Sequence, residues 1–144
     1  MKIEQHIIEG PLAALAAWRP AGAGAVVRFD GVVRATEAGH QLAGLDYEVY
    51  EPMTSRHMYR LAEATCSRFR LIALAVLHSE GFVAVGECSF RLWTAAAHRQ
   101  PALAAQDHFI DAMKREVPIW KHPIWASETV PSPSTQTEVS CDKF

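Results

Sequence analysis

Alternating apolar and polar residues predict several strands along the chain. Residues 45–50, "LDYEVY", alternate apolar and polar side chains, which is the period-two signature of a half-buried strand. Strands are also predicted over residues 21–34, 71–78 and 82–95, where apolar runs are bounded by glycine or polar residues. Gly31 interrupts the first of these runs and indicates a β-bulge or a close approach of another backbone.

The helices are predicted from apolar residues that recur at spacings of three and four. Residues 52–69 carry one such stripe, and residues 101–116 carry another that begins at a proline. Pro118 ends this last helix, because the residue before a proline is pushed out of the helical region. The alanine- and leucine-rich stretch "PLAALAAW", residues 11–18, predicts a further short helix.

The connections are predicted from glycine and polar residues. Residues 35–44, "ATEAGHQLAG", are typical of a loop, and residues 79–81 indicate a hairpin turn, with a second bulge at Gly86. The resulting order is helix, strand, strand, helix, strand, strand, helix. This order favours an α+β domain with a mainly antiparallel sheet flanked by helices.

The length of 144 residues suits one domain, which can bury roughly 70% of its extended surface. We expect this domain to span residues 1–126. From residue 127 the chain is rich in serine, threonine and proline, and such a segment buries too little apolar area to offset its ordering entropy. Residues 127–144 are therefore predicted to form a tail that is mobile or partner-dependent.

Composition and charge exclude several functional classes. The net charge of −2 argues against a nucleic-acid binder, which would carry a basic stripe. No apolar stretch approaches the roughly 20 residues of a membrane span, and the first residues lack the apolar core of a signal peptide. We therefore expect a cytoplasmic protein that binds neither nucleic acid nor membrane.

The cysteines and histidines predict neither a disulfide framework nor a metal site. The three cysteines are an odd number, widely spaced and without a CxxC pair. Cys66 and Cys88 lie in apolar segments and are expected in the core, whereas Cys141 lies in the predicted tail. His57 and His108 have no partner at metal-ligand spacing. No metal and no cofactor are expected.

Two lysines surround an apolar segment in "KREVPIWK", residues 114–121. The chain has ten arginines but only four lysines, so this segment uses a scarce residue type twice. Lys114 falls in the last helical turn, where a cation is favoured by the helix dipole, and Lys121 lies on the segment that leaves the helix. The residue chemistry leaves two interpretations open: a capping charge with a surface lysine, or a pair of amines for proton transfer or nucleophilic attack.

A second candidate site precedes the last helix. His98 and Arg99 lie just before Pro101, where free backbone N–H groups and the helix dipole favour an anion. They are equally consistent with solvent-facing loop residues. Arg34, which follows the irregularity at Gly31, is a third candidate and a weak one by itself.

Taken together, these segments resemble the large, catalytic subunits of molybdopterin synthase, the MoaE family. The matching segments are "GAVVRFDGVVR", "LDYEVYEPM", "AVGE", "AHR" and "IDAMKREVPIWK", in the family's order and spacing over residues 24–122. The resemblance implies an α/β hammerhead-type fold that forms a homodimer of large subunits. It also implies a small ubiquitin-like sulfur-carrier partner with a C-terminal Gly-Gly thiocarboxylate.

The reaction implied by the resemblance converts cyclic pyranopterin monophosphate into the dithiolene of molybdopterin by two sulfur transfers. Lys114 and Lys121 match the family's active-site lysines. Arg34, His98 and Arg99 match its pocket for the substrate phosphate and pterin, which the family completes across the dimer interface. A sulfur that arrives on the partner requires no cysteine of this chain.

The same resemblance carries a second hypothesis. After Lys121 the family usually has a basic or polar residue and then glutamate, whereas this chain has His122 and Pro123. Ser79 follows His78 where the family often has arginine. The altered segment after Lys121 motivates the alternative of a non-catalytic paralogue that keeps the fold and dimer and acts as a binding or assembly module.

Overall fold

The computed structural model describes residues 1–14, 17–127 and 142–143. Within these ranges the chain forms eight strands and two α-helices. In chain order they are β1 (Lys2–Glu9), β2 (Ala25–Val32), β3 (Thr36–Glu37), β4 (His40–Val49), α1 (Met53–Phe69), β5 (Ala73–Ala84), β6 (Cys88–Ala96), α2 (Arg99–Glu116), β7 (Ile119–Trp125) and β8 (Asp142–Lys143).

One mainly antiparallel sheet contains all the strands. Its main order is β2-β6-β5-β4-β7-β8, and β1 and β3 lie beside β5 and β4. The pairing of β1 with β5 is parallel, and every other strand pair is antiparallel. The predicted α+β class with a mainly antiparallel sheet flanked by helices is confirmed.

The long strand β5 joins the two halves of this sheet. Its first part, residues 73–78, pairs with β6, and residues 81–84 pair with β4. Gly81 lies at the change of partner with φ +81°, a left-handed conformation that glycine adopts at little cost. A hairpin turn predicted at residues 79–81 is therefore wrong, because these residues lie within β5. The chain reverses instead at Gly86, which has φ +86° and is not a bulge.

The two helices bury apolar stripes against the sheet and against each other. The stripe of α1 includes Met58, Leu61 and Cys66, and that of α2 includes Phe109 and Met113. Each large apolar side chain buried in this way stabilises the fold by roughly 1.5–3 kcal/mol. The predicted stripe on α1 is confirmed. The last helix begins at Arg99, two residues before the predicted start at Pro101, and ends at Glu116 as predicted.

The short helix predicted over residues 11–18 is wrong for every described residue of that segment, while residues 15–16 lie outside the described ranges. Leu12 is buried, and its N–H donates to the carbonyl of Cys88 at 2.9 Å. The Arg91 guanidinium donates to the carbonyl of Ala13 at 2.7 Å. These bonds bind the backbone to β6, and a helix this short has little stability of its own.

Several strands lie where none was predicted. Residues 2–9 form β1, and residues 119–125, expected only as a segment leaving the helix, form β7. The predicted loop over residues 35–44 contains β3 and the first half of β4. Ala38 and Gly39 connect them with φ +50° and +80°, as in the two-residue turns that favour tight hairpins.

The prediction at Gly31 is confirmed, since the pairing of β2 with β6 shifts register between Gly31 and Val32. Cys66 is buried as expected, and Cys88 is half-buried. Cys141 lies outside the described residues. Within the described part of the chain, no helix is both long and apolar enough to cross a membrane.

His78 is buried at the packed centre of the sheet, and its burial should make the stability of the fold depend on pH. Its ring is fully buried between those of Tyr47 and Phe90, at centroid distances of 5.0 and 5.9 Å. Its Nδ1–H donates to the carbonyl of Ser79 at 2.7 Å. Burial lowers the pKa of His78 to about 4, with a smaller opposing effect from this hydrogen bond.

Because the unfolded chain has a His pKa of about 6.5, it binds the proton more readily than the folded chain does. The contribution of His78 to stability is therefore complete above about pH 6.5 and is lost as the pH falls toward 4. We expect the free energy of unfolding to fall by about 2 kcal/mol between pH 7 and pH 5 through this group. Urea titrations of the wild type and of His78→Leu measure it, and equal pH dependence in the two proteins would contradict the account.

Candidate active site

The junction between α2 and β7 positions both lysines of the "KREVPIWK" segment. Val117 leaves the helix with φ −92° and ψ 125°, and Pro118 prevents the helix from continuing. Val117 and Ile119 are fully buried, so packing fixes the backbone on both sides of the proline. Lys114, in the last turn of α2, and Lys121, in β7, consequently border the same cavity.

A buried hydroxyl ties this junction to the start of α1. Thr54 is fully buried, and its Oγ1 donates to the carbonyl of Pro118 at 2.8 Å. The same oxygen accepts the backbone N–H of Tyr50 at 2.8 Å. One side chain therefore satisfies two backbone groups that belong to distant parts of the chain.

The cavity has a volume of about 360 Å³ and is open to solvent. Its apolar walls include Phe29, Leu45 and Ile110, and Tyr47 and Ser89 contribute hydroxyl groups. Its charged lining residues are Asp30, Arg34, Glu37, Lys114 and Lys121. The charged residues come from the end of β2 and the residues after it, the β3–β4 hairpin, the end of α2 and β7, so no single sequence segment forms the site.

Three of the candidate residues, Arg34, Lys114 and Lys121, line this cavity. His98 and Arg99 do not: they line a separate pocket of about 350 Å³ at the start of α2. Arg99 and Lys114 lie near opposite ends of one helix, and a rise of 1.5 Å per residue separates them by about 22 Å. Both His98 and Arg99 are exposed, beside the backbone N–H groups that an anion would use.

Three of the five charged residues that line the cavity, Asp30, Glu37 and Lys121, form ion pairs. Lys121 Nζ lies 3.1 Å from Glu37 Oε1. Asp30 is held by Arg91 at 2.6 Å and by Arg28 at 3.1 Å.

Neither Arg34 nor Lys114 forms an ion pair or hydrogen bond within the described ranges. Two cations therefore remain available to an anionic ligand, and charge-assisted hydrogen bonds are roughly twice as strong as neutral ones.

The sequence did not indicate Glu37, Asp30, Tyr47 or Ser89 as part of the site. Tyr47 and Ser89 share a buried hydrogen bond of 2.9 Å between their hydroxyl oxygens. Burial raises the pKa of Tyr47, which favours the neutral phenol. The alternation in residues 45–50 placed Tyr47 on the inner face of its strand, but its position opposite Lys121 depends on the unforeseen strand β7.

The cysteine thiols do not contribute to this cavity in the described part of the chain. Burial raises the pKa of Cys66 to about 11 and raises that of Cys88 as well. Both groups therefore favour the protonated thiol, which is a poor nucleophile. Among the described residues, no three histidine, cysteine or acidic side chains are grouped closely enough to hold a metal ion.

Fold and cavity together define an α+β protein whose cations surround an open site suited to an anionic ligand. A family model described as "MoaE protein" matches residues 4–116, a range that includes Arg34, His98, Arg99 and Lys114 but stops before Lys121. The chain therefore belongs to the MoaE family.

Similar proteins agree with this assignment. The chain is 38% identical over 106 residues to a molybdopterin synthase catalytic subunit from Cereibacter sphaeroides, covering 74% of this chain and 71% of that protein. A crystal structure of molybdopterin synthase from Staphylococcus aureus superposes with a TM-score of 0.75 at 25% identity, covering 85% and 91% of the two chains. A complex of subunits 1 and 2 of molybdopterin-converting factor from Helicobacter pylori gives 0.66 at 25% identity, covering 86% and 90%. These likenesses confirm the fold implied by the resemblance.

The bridging hydroxyl of Thr54 predicts a specific stability loss. Thr54→Val keeps the side-chain shape but leaves the Pro118 carbonyl and the Tyr50 N–H without this partner, at a cost of about 2 kcal/mol in unfolding free energy. Thr65→Val is the matched control, because the Thr65 hydroxyl is also fully buried but donates within its own helix, to the carbonyl of Leu61 four residues earlier. Urea denaturation should show a clearly smaller loss for Thr65→Val. Equal losses would mean that the bridge does not hold the junction.

Proposed function

We propose that this chain is a molybdopterin synthase catalytic subunit in molybdenum cofactor biosynthesis. In this proposal it transfers sulfur from a thiocarboxylated small ubiquitin-like subunit to cyclic pyranopterin monophosphate and forms the molybdopterin dithiolene. The observation that carries the proposal is the meeting of Arg34, Lys114 and Lys121 at one cavity. Membership of the MoaE family and the names of the similar proteins support the reaction class.

The cavity chemistry fits two anionic reactants. The substrate carries a phosphate and the partner carries a thiocarboxylate, so both require local cations in a chain of net charge −2. Arg34 is proposed to bind the substrate. Lys114 and Lys121 are proposed as the catalytic residues, because an amine can give up and accept protons as sulfur adds and oxygen leaves. A guanidinium, which stays protonated, cannot do this.

The partner is proposed to insert its C-terminal Gly-Gly tail into the cavity. The complex of two subunits from Helicobacter pylori supports a small-subunit partner for this fold. Phe29 and Val32, at the end of β2, are 40% and 52% exposed, so the cavity has an apolar rim beside its cations. Glycine residues have no side chains and suit entry into a narrow site between such walls.

His98 and Arg99 are proposed to bind substrate in the cavity of a second copy. They lie too far from Lys114 to serve the cavity of their own chain, at about 22 Å along α2. A homodimer of large subunits would bring the pocket at the start of one α2 toward the cavity of the other. Each active site would then contain residues from both protomers.

The domain division is likewise a proposal. Residues 1–126 are proposed as the catalytic domain, and residues 127–144 as a tail that is mobile or partner-dependent. Most of this tail, residues 128–141, lies outside the described ranges. A cytoplasmic location stays a prediction from the sequence.

The alternative function is a non-catalytic paralogue that binds the small subunit without turnover. The altered segment after Lys121, where the chain has His122 and Pro123, favours it. Stable association with a small ubiquitin-like protein but no product would support this alternative.

Reconstitution tests the proposed enzyme. The purified chain, mixed with a thiocarboxylated small subunit and cyclic pyranopterin monophosphate, should form molybdopterin. Lys114→Ala should lower the rate at least a hundredfold, since loss of a proton-transfer group costs about 10²–10⁴ in rate. Lys2→Ala is the control, because Lys2 lies on β1 and pairs with Glu4 away from the cavity. Full activity of Lys114→Ala would exclude the assigned role.

Mixing two inactive variants tests whether each active site is shared between protomers. Lys114→Ala and Arg99→Ala should each be nearly inactive alone. If the protomers exchange at random, half of the dimers are mixed and each mixed dimer has one intact site, so activity should return to about one quarter of the wild-type value. Size-exclusion chromatography with two differently tagged variants confirms the exchange. Mixed dimers without recovered activity would place both residues in the site of a single chain.

A further inference from the structure

We propose that Glu37 is a positioning residue for the sulfur transfer. Its carboxylate holds the Lys121 ammonium at the cavity wall, and Lys114 is left as the amine that moves to meet the reactants. The two lysines would therefore have different tasks. The activity part of this inference rests on the proposed function, whereas its structural part does not.

The ion pair between Glu37 and Lys121 is shielded from solvent. Glu37 Oε1 lies 3.1 Å from Lys121 Nζ, and the two side chains are only 19% and 20% exposed. Exposed ion pairs of this kind contribute little because water screens them. A largely buried pair is screened less. Lys121 is held at both ends: its ammonium by the ion pair, and its backbone by the pairing with Tyr47 in the sheet.

The hairpin that carries Glu37 is itself fixed. Glu37 pairs with His40 across the tight turn at Ala38 and Gly39. The His40 ring packs edge-on against Trp125 of β7 at 5.8 Å, and the Ala126 N–H donates to the carbonyl of Gln41 at 3.0 Å. The carboxylate and the lysine therefore belong to two elements that are docked together, so their separation does not depend on a loose loop.

Lys114 has a contrasting environment. It lies exposed in the last turn of α2, and no ion pair or hydrogen bond holds it within the part of the chain that the structure describes. Asp30, the other carboxylate of the cavity, is already occupied by Arg91 and Arg28. It does not compete for Lys114, whose side chain keeps its rotational freedom.

Removing the Glu37 charge should change substrate binding and turnover in opposite directions. It places a negative charge in a cavity proposed to accept a phosphate and a thiocarboxylate, and like charges repel. Glu37→Gln should therefore bind the anionic substrate more tightly but turn it over more slowly, because the Lys121 ammonium loses its fixed position. A general structural defect would weaken binding and turnover together.

Competitive labelling with acetic anhydride tests the ion pair without any activity assay. The chain has only four lysines, so peptide mapping by mass spectrometry can follow each one. In Glu37→Gln the acetylation rate of Lys121 should rise about three- to tenfold, because the amine loses its charge-assisted partner. The rate at Lys114 should stay within twofold, because the substitution removes no contact of Lys114, and an unchanged circular dichroism spectrum checks that the fold is intact.

Glu63→Gln is the matched control, since Glu63 is exposed on α1 and does not line the cavity. It should leave both rates unchanged. An unchanged rate at Lys121 in Glu37→Gln would overturn the proposal.

Steady-state kinetics then test the positioning role. We expect Glu37→Gln to lower kcat about tenfold or more while KM for cyclic pyranopterin monophosphate stays equal or falls. A lowered kcat with a raised KM, or an unchanged kcat, would overturn the positioning role. If the wild type forms no molybdopterin, the proposed function fails, whereas the labelling result still decides whether Glu37 restrains Lys121.

Discussion

The break in the chain at Val117 and Pro118 is the constraint on which the site depends. A helix that continued past Glu116 would keep Lys121 on the same face as Lys114 but carry it about two turns, or roughly 10 Å, further along the helix axis. Because the proline stops the helix and the next residues enter the sheet, an amine from a helix end and one from a strand border the same cavity. Buried Val117 and Ile119 and the Thr54 hydroxyl fix this change of direction.

The cavity brings positive charge together in a chain that is slightly acidic overall. It concentrates cations from separate elements and neutralises its carboxylates individually, Asp30 with arginines and Glu37 with Lys121. Arg34 and Lys114 stay available to a ligand. Both carboxylates also restrain cations, so positive charge is locally ordered even though the net charge is −2.

The elements that were predicted correctly are those that depend on residues close together in the sequence. The stripe of α1, the end of α2 at Pro118 and the irregularity at Gly31 follow from spacing or from a single residue's backbone preference. Strands β1 and β7 escaped prediction because strand formation depends on a partner that is distant in sequence. In β7, Pro123 even argues against a strand, yet it pairs with Leu45 of β4.

The candidate site shows the same division. Residue chemistry left Lys114 and Lys121 open between a structural and a functional role, and the resemblance to a family selected them together with Arg34. Glu37 gave no signal, since its hairpin has the composition of a loop and its contact with Lys121 spans 84 positions of the chain. His98 and Arg99 are separated from the cavity by the length of α2. The sequence did not predict this separation, because it does not show that the cavity lies at the other end of that helix.

The most direct test of the central claim is a measurement of where the substrate binds. Selective ¹⁵N labelling of lysine gives one backbone amide signal for each of the four lysines. Adding cyclic pyranopterin monophosphate should shift the signals of Lys114 and Lys121 and leave that of Lys2 in place. Saturating substrate that leaves both cavity signals unmoved would contradict the account.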